Sequence, residues 1–314
     1  MIPLTYTQSI AQESLLRKIE MLRVQLSSLV VPPAVDRGVR FDTQLAVIAT
    51  AFGLEQHPSV YQHIEHTIRS KRSSTPEGIR YRHYWDALCT IHELWVGTDA
   101  YVQTNSYADL FREFRKTGNS AWNIVQSHIS SGIAYISSGN EHPVIQAAIM
   151  SALVYTSPLE TDTRREAAML IAYAVLASHG YVCSGRVNPL SEWAIQSESL
   201  QSALHSIDTD KNLNHWILFN SLVLKKTLED SITVLTNRIT DRNITTNRRI
   251  LLTQRQRSIL QLLDKPGSSI NNAVLRRRFG ISQLTASRDL SYLVSQGVLT
   301  AFGKSRSIAY LRSG

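Results

Sequence analysis

The sequence predicts a mainly α-helical protein whose last fifth forms a small, separate domain of helices and a β-hairpin. Before residue 239, apolar residues recur three and four positions apart in one segment after another, the spacing that places them on one helix face. Alternating runs typical of strands are nearly absent before residue 297. Near residue 253 the pattern changes to short helical segments divided by glycine or proline. We therefore predict a helical domain over 1–238, a connector over 239–252 and a small domain over 253–314.

The first predicted helix covers residues 9–29, SIAQESLLRKIEMLRVQLSSL, and carries an apolar stripe. The stripe consists of Leu15, Ile19, Leu22, Leu26 and Leu29. A stripe of this length suits either a short coiled-coil dimer or packing within the chain, and the sequence leaves both open. The prolines of the following VVPPAVDRG end the helix, since proline cannot donate the next backbone hydrogen bond and restricts the residue before it.

Further helical patterns fill the rest of the large domain. They lie near 41–55, 58–71, 82–96, 104–116, 121–137, 142–155, 164–179, 190–206 and 212–238. After the last of them, the stretch ITDRNITTNRRILL is rich in threonine, asparagine and arginine and is too polar to bury. Such a composition indicates an interdomain connector.

The small domain begins with three short helices. Thr253 can cap the first, whose apolar residues Ile259, Leu262 and Leu263 face inwards and which ends at Pro266-Gly267. The second runs near Ile270–Phe279 and stops at Gly280. Ser282 caps the third, which closes at Gly297; its predicted buried stripe consists of Leu284, Leu290, Leu293 and Val294. Two β-like runs, VLTAF and SIAYL, then flank the basic tip GKSR.

Three helices followed by a basic hairpin predict a winged helix-turn-helix, in which the third helix enters the major groove of DNA and the wing lies along the backbone. The stretch SQLTASRDLSYLVSQGVL resembles the recognition helix of bacterial regulators with the pattern S-x-x-T-x-x-R-D-L-x-x-L-x-x-x-G. The resemblance covers about sixty residues and implies double-stranded DNA as the partner. Alternatively, such a module serves only for protein docking.

The candidate DNA-binding residues are those whose side chains can reach base edges or phosphates. They are Ser282, Gln283, Thr285, Ser287 and Arg288 on the third helix, and Lys304 and Arg306 at the hairpin tip. Arginine can pair bidentately with guanine and glutamine with adenine. The two wing cations would neutralise phosphates, which contributes affinity and salt dependence more than sequence choice. Arg276, Arg277 and Arg278 form either a solvated helix face or a second contact with the backbone.

The charge distribution supports this reading. The net charge of the chain is +8, and the residues from Thr253 onward hold ten basic and two acidic side chains. The rest of the chain carries 23 basic and 23 acidic residues, out of totals of 33 and 25. The whole excess of positive charge therefore lies in the small domain, which points that domain at a polyanion.

Composition excludes several other classes. Hydrophobic content of 43% with 18% charged residues is typical of a globular protein, and no apolar run reaches the ~18 residues of a membrane span. The N-terminus lacks the pattern of a signal peptide, so we expect a cytoplasmic protein with no membrane partner. Only Cys89 and Cys183 occur, without a CxxC motif, which indicates neither a disulfide framework nor a metal site.

A second resemblance concerns residues 141–181, EHPVIQAAIMSALVYTSPLETDTRREAAMLIAYAVLASHGY, where a polar loop joins two apolar helices. This run looks like the core of the Fic family, in which HPFx(D/E)GNGR stands between two helices and a similar winged helix often follows at the C-terminus. Active members transfer AMP from ATP to a hydroxyl. Their histidine is the general base, the acidic residue holds magnesium, the glycines let backbone N–H groups wrap the phosphates, and the arginine clamps phosphate.

In this chain the residue types that such chemistry needs are replaced. Ser157 stands at the histidine position, and serine has no group that titrates near neutral pH. Pro158 and Leu159 keep scaffold positions, while the carboxylate, glycine, asparagine and glycine positions hold Thr161, Asp162, Thr163 and Arg164. Only Arg165 retains its type. The resemblance therefore implies a degenerate motif with no catalytic residue, no metal ligand and no cofactor.

The substitutions suggest another role for the loop. Ser157–Glu160 and Thr163–Glu166 each fit a Ser/Thr-x-x-Glu capping box, which would use the amides that otherwise cradle a phosphate. In addition, Glu160, Asp162 and Glu166 place negative charge where a triphosphate would bind. The loop is thus interpreted as a helix start.

These observations favour a DNA-binding transcriptional regulator, and not an enzyme, whose Fic-like domain serves dimerisation or regulation. The alternative is a Fic-type AMP (nucleotidyl) transferase with an unorthodox motif. Residual nucleotide binding by Arg164 and Arg165 and assembly into a homodimer are further expectations that the sequence leaves open.

Overall fold

Helices make up most of the described residues before residue 253, as the apolar spacing predicts. The computed structural model describes Thr5 to Arg312, apart from residues 55–56, 70–74, 99–105, 108–109, 111–120, 139–140, 159–160, 195–197, 210–211, 248–251, 264–268, 296–297 and 303–307. Most of the predicted helix at 104–116 lies outside the described residues. Within the part of the chain that the structure describes, no helix is both long enough and apolar enough to cross a bilayer.

The helices described up to residue 247 are numbered α1 to α9. They are α1 Ile10–Ser28, α2 Pro33–Ala51, α3 Pro58–Arg69, α4 Pro76–Thr90, α5 Ala121–Ser138, α6 Pro143–Tyr155, α7 Thr161–Ser178, α8 Glu198–Thr209 and α9 Asn214–Asn247. A single π-helical turn, Ile91–Trp95, continues α4, and short 3₁₀ turns lie at Cys183–Gly185 and Ser191–Ala194.

The unit that contains the residues up to Val30 and Asp36–Leu235, called the large unit below, is centred on the helix pair α6 and α7, which flank the motif loop. Every residue of α6 from Val144 to Val154 is buried, and α7 is buried continuously from Glu166 to Ser178. A helix that is apolar on all sides is stable only inside a core. Its alanines also allow neighbouring helices to approach closely. The loop between α6 and α7 is therefore held at both ends by the most buried helices of the unit.

Two tryptophans join this centre to the C-terminal helices of the unit. The Trp216 indole donates to the carbonyl of Ala148 in α6 at 2.9 Å, and the Trp193 indole donates to Asn220 Oδ1 at 3.1 Å. Their ring centroids lie 5.0 Å apart in an edge-to-face arrangement. Both rings are fully buried, so each indole N–H needs the partner it has.

The remaining elements are α10 Gln254–Leu262, β1 Ser269–Ile270, α11 Asn272–Phe279, α12 Gln283–Ser295, β2 Leu299–Phe302 and β3 Ala309–Arg312. The strands form an antiparallel sheet in the order β1-β3-β2. The helices and strands enclose one apolar core; its buried members are Ile259, Leu263, Ile270, Leu275, Ala286, Leu290, Leu293 and Leu299. The predicted fold class, mainly α with a small β wing, is confirmed.

Two predicted helix caps in these C-terminal elements are confirmed. Thr253 accepts the Gln256 N–H at 3.2 Å, and the Gln256 side chain accepts the Thr253 N–H at 3.0 Å, so the two form a capping box. Ser282 Oγ accepts the N–H of Thr285 at 3.2 Å.

Several boundaries differ from the prediction. α2 starts at Pro33 rather than near residue 41, because proline suits the first helical position, where its missing N–H has no partner to lose. α9 continues to Asn247, past its predicted end at 238, since no glycine or proline interrupts residues 214–247. Ile270 belongs to a strand instead of a helix: Asn271 caps α11 by accepting the Val274 N–H at 2.9 Å, and Ile270 pairs with Tyr310.

Leu284 was predicted in the buried stripe of α12 and is 61% exposed. At about 100° per residue, Leu284 lies about 120° around the helix from Leu290, whereas Ala286 lies within about 40° of it. Ala286 therefore takes the inner position. The predictions for Leu290 and Leu293 are correct, since both are fully buried.

The described chain separates into two compact units. One contains the residues up to Val30 together with Asp36–Leu235, and the other contains Val31–Val35 and the residues from Thr236 onward. The motif loop lies in the first unit and the α10–α12 helices lie in the second.

Candidate functional site

The first candidate site is the loop between α6 and α7, and it begins at Ser157. The Ser157 hydroxyl donates to the carbonyl of Val154 at 2.6 Å, and its own N–H donates to the same carbonyl at 3.1 Å. Only 1% of this serine is exposed. The hydroxyl thus closes the C-terminal turn of α6, and Ser157 offers neither a titratable group nor an accessible one. Pro158 is exposed, whereas Leu159 and Glu160 lie outside the described residues.

Helix α7 begins at Thr161, so Thr163 is its third residue. A residue inside the first turn cannot be the cap, and the carboxylate of Glu166 pairs with Arg80 instead of reaching back. The predicted capping box at Thr163–Glu166 is therefore wrong. The box at Ser157–Glu160 includes Glu160, which is outside the described residues. Asp162 points outwards, with 70% of its side chain exposed, and lies 3.6 Å from the Arg165 guanidinium.

Arg165, the one motif residue that retains its type, binds the end of α2. Its Nε donates to the carbonyl of Ala51 at 3.1 Å, and 16% of its side chain is exposed. The guanidinium lies against Gly53, where an added Cβ would come within 2.6 Å of Nη1. Gly53 has a φ of +65°, a backbone conformation that favours glycine, and a side chain there would displace the Arg165 guanidinium. Arg165 thus acts here as a structural clasp between α7 and α2.

Arg164 is also engaged by protein groups. Its Nη1 donates to the carbonyl of Tyr155 at 3.3 Å, and its guanidinium carbon lies 6.0 Å from the centroid of the Tyr155 ring. Both contacts tie the start of α7 to the last turn of α6. The two arginines expected to hold a nucleotide therefore stabilise the joint between helices.

Glu166 and Arg80 form the most buried ion pair next to the loop. Glu166 is 4% exposed and accepts a hydrogen bond from Nη2 of Arg80 in α4. Burial raises the pKa of the Glu166 carboxyl to about 7, and the neighbouring Arg80 guanidinium opposes this rise. Arg80 also lies over the Phe52 ring, 5.2 Å from its centroid. These contacts join α4, α7 and the residue after α2.

We predict that Arg165→Ala lowers the free energy of unfolding by about 1 to 2 kcal/mol, because the buried Ala51 carbonyl loses a charged donor. Urea unfolding followed by circular dichroism measures the change. Arg17→Ala is the matched control, since the Arg17 side chain is 82% exposed and its ion pair with Glu13 lies on the surface. Equal stability of the two variants would contradict the clasp.

The second candidate site is helix α12. Its inner residues Ala286, Leu290 and Leu293 are fully buried, and its residues Gln283 and Arg288 are exposed to solvent. Because the inner face is fixed by the core, the direction of the outer face is fixed as well.

The other candidate residues, Ser282, Thr285 and Ser287, make hydrogen bonds within the protein. Ser282 is the cap, and its Oγ lies 2.9 Å from that of Thr285. Ser287 is half-buried and accepts a hydrogen bond from Asn272 Nδ2 at 3.0 Å, which joins α12 to α11. Of the predicted set on this helix, Gln283 and Arg288 are thus the long polar side chains that are exposed and that no local hydrogen bond described above engages. Lys304 and Arg306 lie outside the described residues.

Further basic side chains of the same small core are exposed. Arg276, Arg277 and Arg278 occupy the last turn of α11 and are exposed. Arg257 on α10 is exposed too. Short helices of one small core thus present exposed guanidinium groups, the arrangement that attracts a polyanion.

Asp289, next to Arg288, holds α12 in place. It is 5% exposed, and its carboxylate accepts from Arg255 Nε at 2.6 Å and from Gln256 Nε2 at 2.9 Å, both on α10. The Asp289 carboxylate therefore fixes the position of α12 relative to α10. The sequence reading missed this role; the signal was an acidic residue beside apolar inner positions in a strongly basic domain.

Asp289→Ala is expected to lower the stability of the second unit by about 2 kcal/mol, because two hydrogen bonds to a buried carboxylate are lost. Hydrogen exchange of the α12 amides measures this directly. Asp162→Ala, which removes a carboxylate that is 70% exposed, should leave α12 protection unchanged. Unaltered protection in Asp289→Ala would show that Asp289 does not hold α12.

Comparison with a solved structure supports the description of the fold. The chain has a mainly helical, Fic-like fold with a small β wing. It is similar over 99% of its length to the crystal structure of a Fic family protein from Desulfovibrio desulfuricans G20, of which it covers 98%, with a TM-score of 0.61 and 13% sequence identity. At this identity the likeness establishes the fold alone. No protein-family model matches the sequence, and no curated protein matches it.

Proposed function

We propose that this chain is a DNA-binding transcriptional regulator, in which the Fic-like helical domain has lost its catalytic motif and serves dimerisation or regulation. The observation that carries the proposal is the outer face of α12. A buried inner side fixes this helix, while Gln283 and Arg288 on it and the three arginines of α11 are exposed.

The dimensions of α12 suit a major groove. Its 13 residues give a helix about 20 Å long, and the groove of B-DNA is about 12 Å wide. Because the apolar core of its own unit holds α12 in place, the helix can enter the groove without unfolding. The turn between α11 and α12 is short, with Gly280 in the left-handed conformation at φ +61°, so the two helices keep a fixed angle.

The polar and charged side chains then divide between contacts to bases, contacts to phosphates and support of the helix. Arg288 pairs with a base, bidentately if that base is guanine, and Gln283 reads a neighbouring adenine. Arg276, Arg277 and Arg278 face phosphates, as do the wing residues Lys304 and Arg306. Asp289 receives no DNA contact and instead positions the helix that carries Arg288.

The motif loop supports a non-catalytic role for the large domain. An AMP transferase needs a base to accept the proton of the target hydroxyl, a metal ligand and free amides. Here Ser157 is buried with its hydroxyl donated to Val154, while Arg164 and Arg165 bind backbone carbonyls. Binding of a triphosphate would require those contacts to break, so any retained nucleotide binding would be weak.

Direct measurement of DNA binding tests the proposal. The full-length protein is titrated onto a fluorescent random-sequence duplex at salt concentrations from 50 to 200 mM. We expect micromolar binding whose logarithm falls linearly with the logarithm of the salt concentration, because each phosphate contact releases a counterion. Absence of binding at the lowest salt would refute the proposal.

The enzyme alternative has its own measurement. Radiolabelled ATP incubated with the protein over a range of divalent metals should leave no label on protein. Label transfer that is lost in Arg165→Ala would establish the transferase instead of the regulator.

A homodimer is part of the proposal, because a symmetric operator is read by a two-fold symmetric protein. The predicted α1 stripe is not free to supply its interface, since Ile19 and Leu26 are fully buried within the chain. Sedimentation equilibrium of the full-length protein, with and without operator DNA, measures the assembly. A monomer under both conditions would refute the homodimer.

A further inference from the structure

Leu284 occupies an unusual place for a leucine. It lies in the first turn of α12, beside Gln283, and is 61% exposed. A single exposed leucine needs no special explanation on most surfaces. The position of Leu284 is what makes its exposure informative. Leu284 and Arg288 are four residues apart and therefore project from the same side of the helix, about 40° from each other.

The major groove offers one apolar group to such a side chain. Each base pair displays hydrogen-bond donors and acceptors there, and only thymine adds a methyl group, at C5. A leucine can contact that methyl but cannot satisfy a donor or acceptor. Leu284 placed in the groove beside Arg288 would thus favour thymine over the other three bases.

We infer that Leu284 is a specificity-determining residue that reads the 5-methyl group of a thymine, an inference that rests on the proposed function. Four residues of helix advance about 6 Å, and base pairs are spaced about 3.4 Å apart. The thymine therefore lies within about two base pairs of the guanine that pairs with Arg288.

Deoxyuridine substitution tests this inference without altering any hydrogen bond of the DNA. A duplex selected from a random library by the full-length protein is resynthesised with each thymine replaced, one at a time, by deoxyuridine, which lacks only the methyl group. One replacement per half-site should weaken binding about fourfold, the effect expected for one buried methyl. This ratio should stay constant between 50 and 200 mM salt, because the contact releases no counterion.

The variant Leu284→Ala completes the cycle. With it, the thymine and deoxyuridine duplexes should bind equally, while Leu222→Ala, which truncates a leucine of the large unit that is 50% exposed, should keep the fourfold ratio. Truncation of an exposed side chain should leave the thermal midpoint unchanged, which verifies folding.

The outcomes separate the two claims. Binding that no deoxyuridine replacement weakens would overturn the role of Leu284 while leaving the regulator proposal standing. A deoxyuridine effect that persists in Leu284→Ala would assign the methyl contact to another residue, which also overturns the inference. Failure of the wild-type protein to bind any duplex would overturn both.

Discussion

Replacing Arg80 by alanine is expected to lower the free energy of unfolding by about 1 to 2 kcal/mol at pH 8. Removal of one partner of a buried ion pair leaves the other charge uncompensated. The loss stays small because the Glu166 carboxyl, whose pKa is about 7, can bind a proton instead, and a pH about one unit above that pKa makes this cost about 1.4 kcal/mol. In addition, 37% of the Arg80 side chain is exposed, whereas Glu166 is buried. Chemical denaturation at fixed pH measures the loss, with Arg17→Ala as the control for removal of a surface arginine.

The loss should depend on pH in a defined direction. The pKa of Glu166 is raised from an ordinary value of 4.5 to about 7 in the folded protein, so the folded state binds the proton more tightly. The resulting stabilisation is complete below about pH 4.5 and disappears as the pH rises through 7. Without Arg80 the pKa of Glu166 rises further. The free energy of unfolding of Arg80→Ala should therefore be nearer to that of the wild type at pH 5 than at pH 8.

A second substitution isolates the cause. Glu166→Gln removes the charge, so Arg80→Ala combined with Glu166→Gln should recover most of the stability lost in Arg80→Ala at pH 8. It should also remove the pH dependence between 5 and 8. If the double variant were as unstable as Arg80→Ala, the loss would arise from packing against Phe52 and not from an unpaired carboxylate.

Replacing Arg288 by alanine should weaken binding to the selected DNA site by roughly 10- to 100-fold and relax the choice of base at one position, since a bidentate pair with guanine is lost. Lys304→Ala should instead weaken all sequences alike and lower the salt slope by about one. Fluorescence anisotropy on matched and mismatched duplexes distinguishes the two effects.

Arg17→Ala is again the control, because it removes one positive charge from the large unit. Unchanged affinity in a protein carrying both Arg288→Ala and Lys304→Ala would exclude α12 and the wing from DNA recognition.

Local signals in the sequence predicted the helices and caps well. Thr253 and Ser282 were identified as caps because their hydroxyls precede apolar periodic segments, and the structure places both as expected. The same kind of signal was misleading at Thr163, where a Ser/Thr-x-x-Glu pattern falls inside a helix. There the Glu166 carboxylate binds Arg80, 86 residues away, and a long-range contact overrides the local motif.

The rest of the candidate site depends on contacts that no local pattern encodes. Arg165 reaches Ala51 across 114 residues of sequence, so its structural role was invisible in the motif itself. Ile270 became a strand residue because β3, forty residues later in the chain, pairs with it. Leu284 is apolar yet exposed, because Ala286, on another side of the same helix, packs into the core in its place.

Selection from a random DNA library tests the central claim most directly. Purified full-length protein and a protein carrying Arg288→Ala and Lys304→Ala are taken through the same rounds at the same salt concentration. The regulator proposal predicts that the wild-type protein enriches one motif, with two half-sites related by two-fold symmetry and centred about one helical turn or a multiple of it apart, and that the double variant enriches none. Equal sequence distributions for the two proteins, with no motif in either, would contradict it.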